Sequence, residues 1–377
     1  MATSTAALLK RHRPLLKYDS QEAFFADSAA ELTDCPGNVL RQTDGTIIAT
    51  TAHGLSLATL GAQVDAGAAA ATDVLSDPSG DYRRQARALH AQAVYANQIY
   101  GHAVRDSAGE LWLQYWFFYF YNDYNLIGSI IKAGLHEGDW EMIQIHLDGD
   151  TPDRAVYAQH KEADARDWRQ VDLAPGTQRP IVYVARGSHA SYFDPGTHWT
   201  GVWFDYADGK RRSPDPALHV VVDTKPAWRW VRWPGYWGDT KKGGSPFDSD
   251  SPRGPAPHPQ WDDPLALAGA AAKRAVAPPT PRPKAPPPPL VRPAWKRGRM
   301  RIAYELADKR ATVLVVTINS PDEHAPPTYE AFAVRTPEGT VTMDVDVDPA
   351  HTYDIHASVA TANAIASESV RAVLGPA

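Results

Sequence analysis

Asp139 and Glu141, two residues apart and leading into Ile143, Ile145 and Leu147, are the pair in this chain best placed for chemistry. Side chains alternate along a strand, so the two carboxylates share a face whose other members are aliphatic. Like charges brought together away from water raise each other's pKa or recruit a cation. His136, three residues before Asp139, offers a nitrogen ligand, and a hard or borderline divalent metal would resolve the conflict. The competing reading sets both carboxylates at the strand mouth, in water or against arginine.

Three further histidines stand near turn signals: His160, His189 in Gly187-Ser-His-Ala190, and His198. A glycine before Ser188-His189 lets the backbone bend at a strand end and aim a polar side chain into a site. His160 or His189 is therefore a candidate base, able to take a proton from water at the cation during hydrolysis of an ester or phosphodiester. Against this, a lone histidine in a β-protein is more often a hydrogen-bonded structural residue. Ser188 is no nucleophile, since adjacent strand residues point apart and no Gly-x-Ser-x-Gly elbow is present. Neither a Gly-x-Gly-x-x-Gly fingerprint nor a phosphate loop occurs, which removes nucleotide chemistry.

The elements that must position these residues read as mainly β. Leu111 to Tyr121 is aromatic on both alternating faces, as a central strand covered on two sides would be, and is expected beside the strand after Asp139. More strands are expected at Arg154 to His160, Ile181 to Ala185, Gly201 to Tyr206, Leu218 to Asp223 and Trp228 to Val231, with a short helical insertion from Tyr82. Trp233 and Trp237 lie in a Gly/Pro-rich stretch that could present aromatic rings to a sugar or lipid, although core packing is the blander reading for tryptophan. Residues 1–272 are thus expected to form a central β-sandwich carrying the metal motif, 273–295 a stiff Pro-rich spacer, and 296–377 a small second β-sandwich.

His136-Glu-Gly-Asp-Trp-Glu141 resembles the His-x-Gly-Asp-Trp-Glu signature of the vacuolar protein sorting-associated protein 62 family, with further matching stretches across about residues 8–265. More distantly the segment is similar to the necrosis-inducing (NLP) toxins, whose Gly-His-Arg-His-Asp-Trp-Glu motif binds a divalent cation. That resemblance implies Asp123, His136, Asp139 and Glu141 as ligands, with a longer insert between Asp123 and His136 here. The final strands, Thr352 to Ala360 and Ser367 to Leu374, resemble the end of a fibronectin type III module. Fold likeness does not by itself assign a reaction.

Composition bounds the function. A formal net charge of -6 leaves no basic face to neutralise phosphates, which excludes a general nucleic-acid binder. Cys35 is the only cysteine, so there is neither an intrachain disulfide nor a cysteine-rich zinc module. No secretory signal and no run of about 18 apolar residues for a transmembrane segment is legible. The expected location is cytoplasmic, or outside the cell by a route without a classical signal peptide. The expected function is divalent-metal-dependent recognition of a glycan, glycolipid or membrane headgroup by a toxin-like β-sandwich, of the kind a bacterial effector would carry. The oxygen-rich set favours Ca or Mg over Zn or Mn. A metal-dependent hydrolase and a purely structural cation are the alternatives.

Overall fold

The computed structural model describes residues 3–20, 22–123, 136–160, 162–199, 204–239, 250–271, 286–296, 299–319, 328–343, 350–361, 367 and 370–376. The chain divides into two compact units, one within 1–282 and one within 283–377, and most of its regular structure is strand.

The aromatic strand Leu111–Asn122 is the spine of the larger unit. Its alternation sorts the side chains as expected: Leu113, Tyr115, Phe117 and Tyr119 enter one core, Trp116, Phe118 and Phe120 the other. It pairs antiparallel with Gln98–Arg105 on one side and with the motif strand His136–Asp148 on the other. Ala217–Val220 extends this sheet beyond Gln98–Arg105, and Thr151–Gln159 and Glu162–Asp167 extend it beyond the motif strand, to six strands in all. One face packs on Leu16, Tyr18, Val182 and Val184, from a four-stranded sheet built on Leu15–Tyr18 and Ile181–Val184. The other packs on Leu40, Leu75 and Trp237, from a second four-stranded sheet containing Val39–Arg41, Val74–Ser76 and Tyr236–Trp237. A strand buried on both faces needs apolar residues at every position, which is why the aromatic run shows no polar alternation.

The motif strand keeps strict alternation from Asp139 onward. Ile143, Ile145 and Leu147 join the Tyr119 core, and Trp140 and Met142 join the opposite one. Alternation breaks at Gly138, whose φ is +54°. There the backbone lies against the Trp237 carbonyl, so close that an added Cβ would sit 2.1 Å from that oxygen. Only glycine combines a left-handed backbone with such an approach. Across the break Tyr119 pairs with Asp139 and Tyr121 with Glu137, yet Tyr119 and Tyr121 belong to different cores.

One strand expectation needs correcting. Trp228 to Val231 lies in a 3-10 helix, Pro226–Arg232, rather than in a strand; Pro226 at its first turn supplies the start signal. The short helical insertion expected from Tyr82 is the helix Tyr82–His90, and the strand Gln98–Arg105 follows it. Helices Thr5–Arg11, Leu57–Asp65 and Leu265–Ala271 join it. Among the described residues no helix is long and apolar enough to cross a membrane.

The smaller unit packs three antiparallel strands, Leu290–Lys296, Arg299–Glu305 and Glu338–Met343, on four, Thr328–Ala333, Ala311–Asn319, Tyr353–Thr361 and Val370–Leu374. Its core is its own, centred on Met300, Ile302, Leu314, Val316, Ile355 and Val359. Part of the expected spacer, 273–285, lies outside the described residues. Its end does not reach 295, because Leu290–Lys296 is already a strand. Pro293 is accommodated there because this strand sits at the edge of its sheet, where a missing N–H breaks no ladder.

Candidate metal centre

Asp139 and Glu141 project from the motif strand into one buried acidic cluster, 6% and 8% exposed. Three segments remote in sequence complete it, the first bringing Glu22. The Ser188-His189 turn follows the strand Ile181–Val184 and places His189 flat on the Tyr119 ring, 3.8 Å between centroids and 3° between planes. Asp205 comes from the strand Phe204–Ala207, paired with Gly196–Trp199.

His189 is wholly enclosed, with 0% exposure. Its Nδ1 donates to Asp139 Oδ2 at 2.9 Å, and its Nε2 faces Glu22 Oε1 at 3.8 Å, an ionic contact rather than a hydrogen bond. Burial alone would lower its pKa, but the two carboxylates outweigh it and push the imidazole up to about 9. Glu22 Oε1 accepts from the N–H groups of Ala23 and Phe24, at 2.7 and 2.8 Å, and its Oε2 accepts from the Gly187 N–H at 2.6 Å. Burial opposes ionisation of Glu22, yet His189 and these donors hold it below its ordinary range. His189 is therefore a charged clamp between two carboxylates.

His160 is more open, its side chain 36% exposed, and its Nε2 donates to Asp205 Oδ2 at 2.8 Å. Asp205 also accepts from Ser188 Oγ at 3.0 Å and Tyr192 OH at 2.7 Å. These donors overcome its complete burial and lower its pKa. Both His160 and His189 have left-handed backbones, φ 54° and 56°, and Asn97 is the one other non-glycine residue in that region among those described. Such conformations cost of order 1–3 kcal/mol each and concentrate at functional sites.

Glu141 is the exception within the cluster. Burial, and then the negative charges of Asp139 and Asp205, raise its pKa well above the ordinary carboxyl value. Among the described residues no basic side chain or hydrogen-bond donor offsets it.

Two of the four ligands implied by resemblance, Asp123 and His136, are engaged by other partners. Asp123 accepts from Arg83 Nη2 at 2.6 Å. His136 donates from Nδ1 to the Gly138 carbonyl at 2.8 Å, and its Nε2 accepts from Asn122 Nδ2 at 3.1 Å, so both ring nitrogens are engaged. Along a strand His136 already alternates away from Asp139 and Glu141, and the left-handed backbone at Gly138 interrupts the register between them. Trp233 and Trp237 are not presented for stacking either. Both are fully buried in the aromatic core, 6.1 Å apart, where Trp237 packs on Trp140 at 5.3 Å. Such rings yield more free energy by burial than by exposure.

Sequence reasoning missed Glu22 and Asp205, which carry no motif and reach the cluster only through tertiary pairing. Elsewhere, Asp106, Glu110 and His146 bring ligand-type atoms within 4.8 Å of one another. There His146 is held between Glu110 and Asp153, at 2.8 and 2.6 Å, as in a surface ion-pair network.

No family model matches the chain. Vacuolar protein sorting-associated protein 62 of Saccharomyces cerevisiae is 25% identical over 166 residues, covering 35% of this chain and 35% of that protein. The chain thus spans about a third of that relative's length. Among solved structures, the chicken interferon gamma receptor alpha chain aligns with a TM-score of 0.20 at 12% identity, over 24% of this chain and 51% of that one. What the sequence comparison supports is a distant similarity to the vacuolar protein sorting-associated protein 62 family.

Proposed function

We propose that the larger unit is a divalent-cation-dependent recognition module whose target is a glycan, glycolipid or membrane headgroup. The observation that carries this reading is the uncompensated Glu141 carboxyl beside Asp139 and Asp205. A buried acid without counter-charge is costly, and carboxylate oxygens suit a hard ion such as Ca or Mg. Asp139 and Glu141 fit that role; Asp123 and His136, already bonded to Arg83 and to Asn122 and Gly138, do not. When bound, the cation would supply positive charge and coordination positions for hydroxyl, carboxylate or phosphate oxygens. Asp205 and His160 would border it, with His160 on the solvent side.

A binding role is favoured over hydrolysis because His189, enclosed and held by two carboxylates, reaches neither water nor substrate. The hydrolase reading retains one specific support, the His160–Asp205 pair, in which a carboxylate orients a partly exposed imidazole as a general base requires. In the smaller unit the three-plus-four strand order supports the fibronectin type III reading, a module suited to holding a binding domain at a surface.

Cosedimentation of the full chain with vesicles bearing glycolipid headgroups separates the readings. Recognition predicts binding in calcium, loss of that binding in EDTA or with Asp139→Asn plus Glu141→Gln, and no turnover of ester or phosphodiester probes. Cation-independent binding would sink it. Turnover abolished by His160→Gln would favour hydrolysis.

A further inference from the structure

A second acid pair lies just before the Gly138 break and takes no part in the cluster above. Glu137 belongs to the motif strand and Asp77 follows the strand Val74–Ser76; each is 1% exposed. The Asp77 N–H donates to Glu137 Oε2 at 3.1 Å, and Asp77 Oδ1 accepts from the Ser79 N–H at 2.9 Å. The two remaining oxygens, Glu137 Oε1 and Asp77 Oδ2, are buried without a hydrogen-bond partner, and so is Ser251 Oγ. Ser251, 2% exposed, closes the same corner. A Cβ built on Gly238 would meet Ser251 Oγ at 2.2 Å and Glu137 Cβ at 2.5 Å, so Ser251 and Glu137 crowd one point, and the Asp77 N–H ties Asp77 to Glu137.

Nothing nearby neutralises the pair. Arg41 is ion-paired with Asp239 and Arg83 with Asp123, and among the described residues no basic side chain reaches Glu137 or Asp77. The Tyr82 hydroxyl also borders Glu137, and it carries no charge. Native proteins leave few buried polar atoms unpaired, and each such atom calls for an ion or a water. Here three oxygens from three separate segments are left over together. Two carboxylates balance the charge of one divalent cation, and a donor set of oxygens alone selects a hard one. Cys35, the neighbouring soft atom, is not a competing ligand. Burial and the adjacent acids push its thiol up, and its Sγ donates to Gln85 Oε1 at 2.9 Å.

We propose that Asp77, Glu137 and Ser251 hold a second, buried calcium or magnesium ion, which ties the strand Val74–Ser76 and Ser251 to the head of the motif strand. The site is independent of Asp139 and Glu141 and stabilises the position of Gly138 from behind.

The test is metal analysis and thermal melting of the full chain, stripped with EDTA and then titrated with calcium or magnesium chloride. Wild type should hold a cation that survives Asp139→Asn with Glu141→Gln and disappears in Asp77→Asn with Glu137→Gln. Its melting temperature should fall on stripping and recover on titration. Ser251→Ala, which removes one neutral oxygen and little volume, should keep the fold while weakening calcium binding roughly tenfold, so the test stands even if the double variant does not fold. Stripped wild type that melts at the same temperature with and without added cation would overturn the proposal, leaving a protonated carboxyl pair. So would a single bound cation that is lost only with Asp139 and Glu141. Failure of the recognition reading alone would appear as loss of vesicle binding control by Asp139 and Glu141, with the Asp77–Glu137 result unchanged.

Discussion

At the scale of single residues, charge balance decides what each histidine can do. His189 neutralises Glu22 and Asp139 in a place water does not reach. Truncating it leaves two buried carboxylates without a counter-charge, and breaking such a pair costs about 3–5 kcal/mol. His189→Ala should therefore lower the urea midpoint of unfolding strongly; a variant as stable as wild type would contradict the clamp assignment. Glu31 supplies the opposite case. It is buried beside Asp27, which accepts from His90 Nδ1 at 2.7 Å, and burial followed by the Asp27 charge raises the Glu31 pKa well above its ordinary value. The folded state thus holds the proton more tightly than the unfolded chain. That contribution is full below the ordinary carboxyl range and is lost as pH climbs toward the raised folded value. Glu31→Gln should accordingly stabilise the protein above about pH 5 and flatten its loss of stability toward alkaline pH. Urea unfolding across that range checks it, and a slope as steep as that of wild type would count against it.

At the scale of elements, one glycine separates what could be read in the sequence from what could not. Alternation from Asp139 to Leu147 was legible because both faces of the strand bury apolar side chains at a period of two. The same period sets His136 on the opposite face from Asp139 and Glu141, and the left-handed Gly138 under the Trp237 carbonyl then interrupts that register. Nothing in a linear reading reveals that approach. Gly138→Ala places a methyl against backbone and forces alanine into a conformation costing about 1–2 kcal/mol before the clash is counted. It should lower the melting temperature and weaken cation binding at Asp139 and Glu141; an unchanged melt would remove Gly138 from the account. Trp228 to Val231 shows a related limit. Alternating tryptophans read as a strand face, but Pro226 starts a 3-10 helix that buries Trp230 and leaves Trp228 at the core's margin.

At the scale of the whole molecule, the larger unit encloses the central sheet between two cores, and the smaller one has a separate core of its own. The mainly β architecture was readable because strand periodicity and its turn punctuation are local signals. The acid cluster was half readable. Asp139 and Glu141 lie in one strand, whereas Glu22, His189 and Asp205 arrive from other segments, which only the completed fold brings together. The central claim, a cation held at Asp139 and Glu141, is tested most directly by metal analysis of the full chain beside Asp139→Asn with Glu141→Gln, with folding checked by circular dichroism. The folded variant should hold one equivalent of divalent cation fewer than wild type; equal metal content in the two would show that these carboxylates hold none.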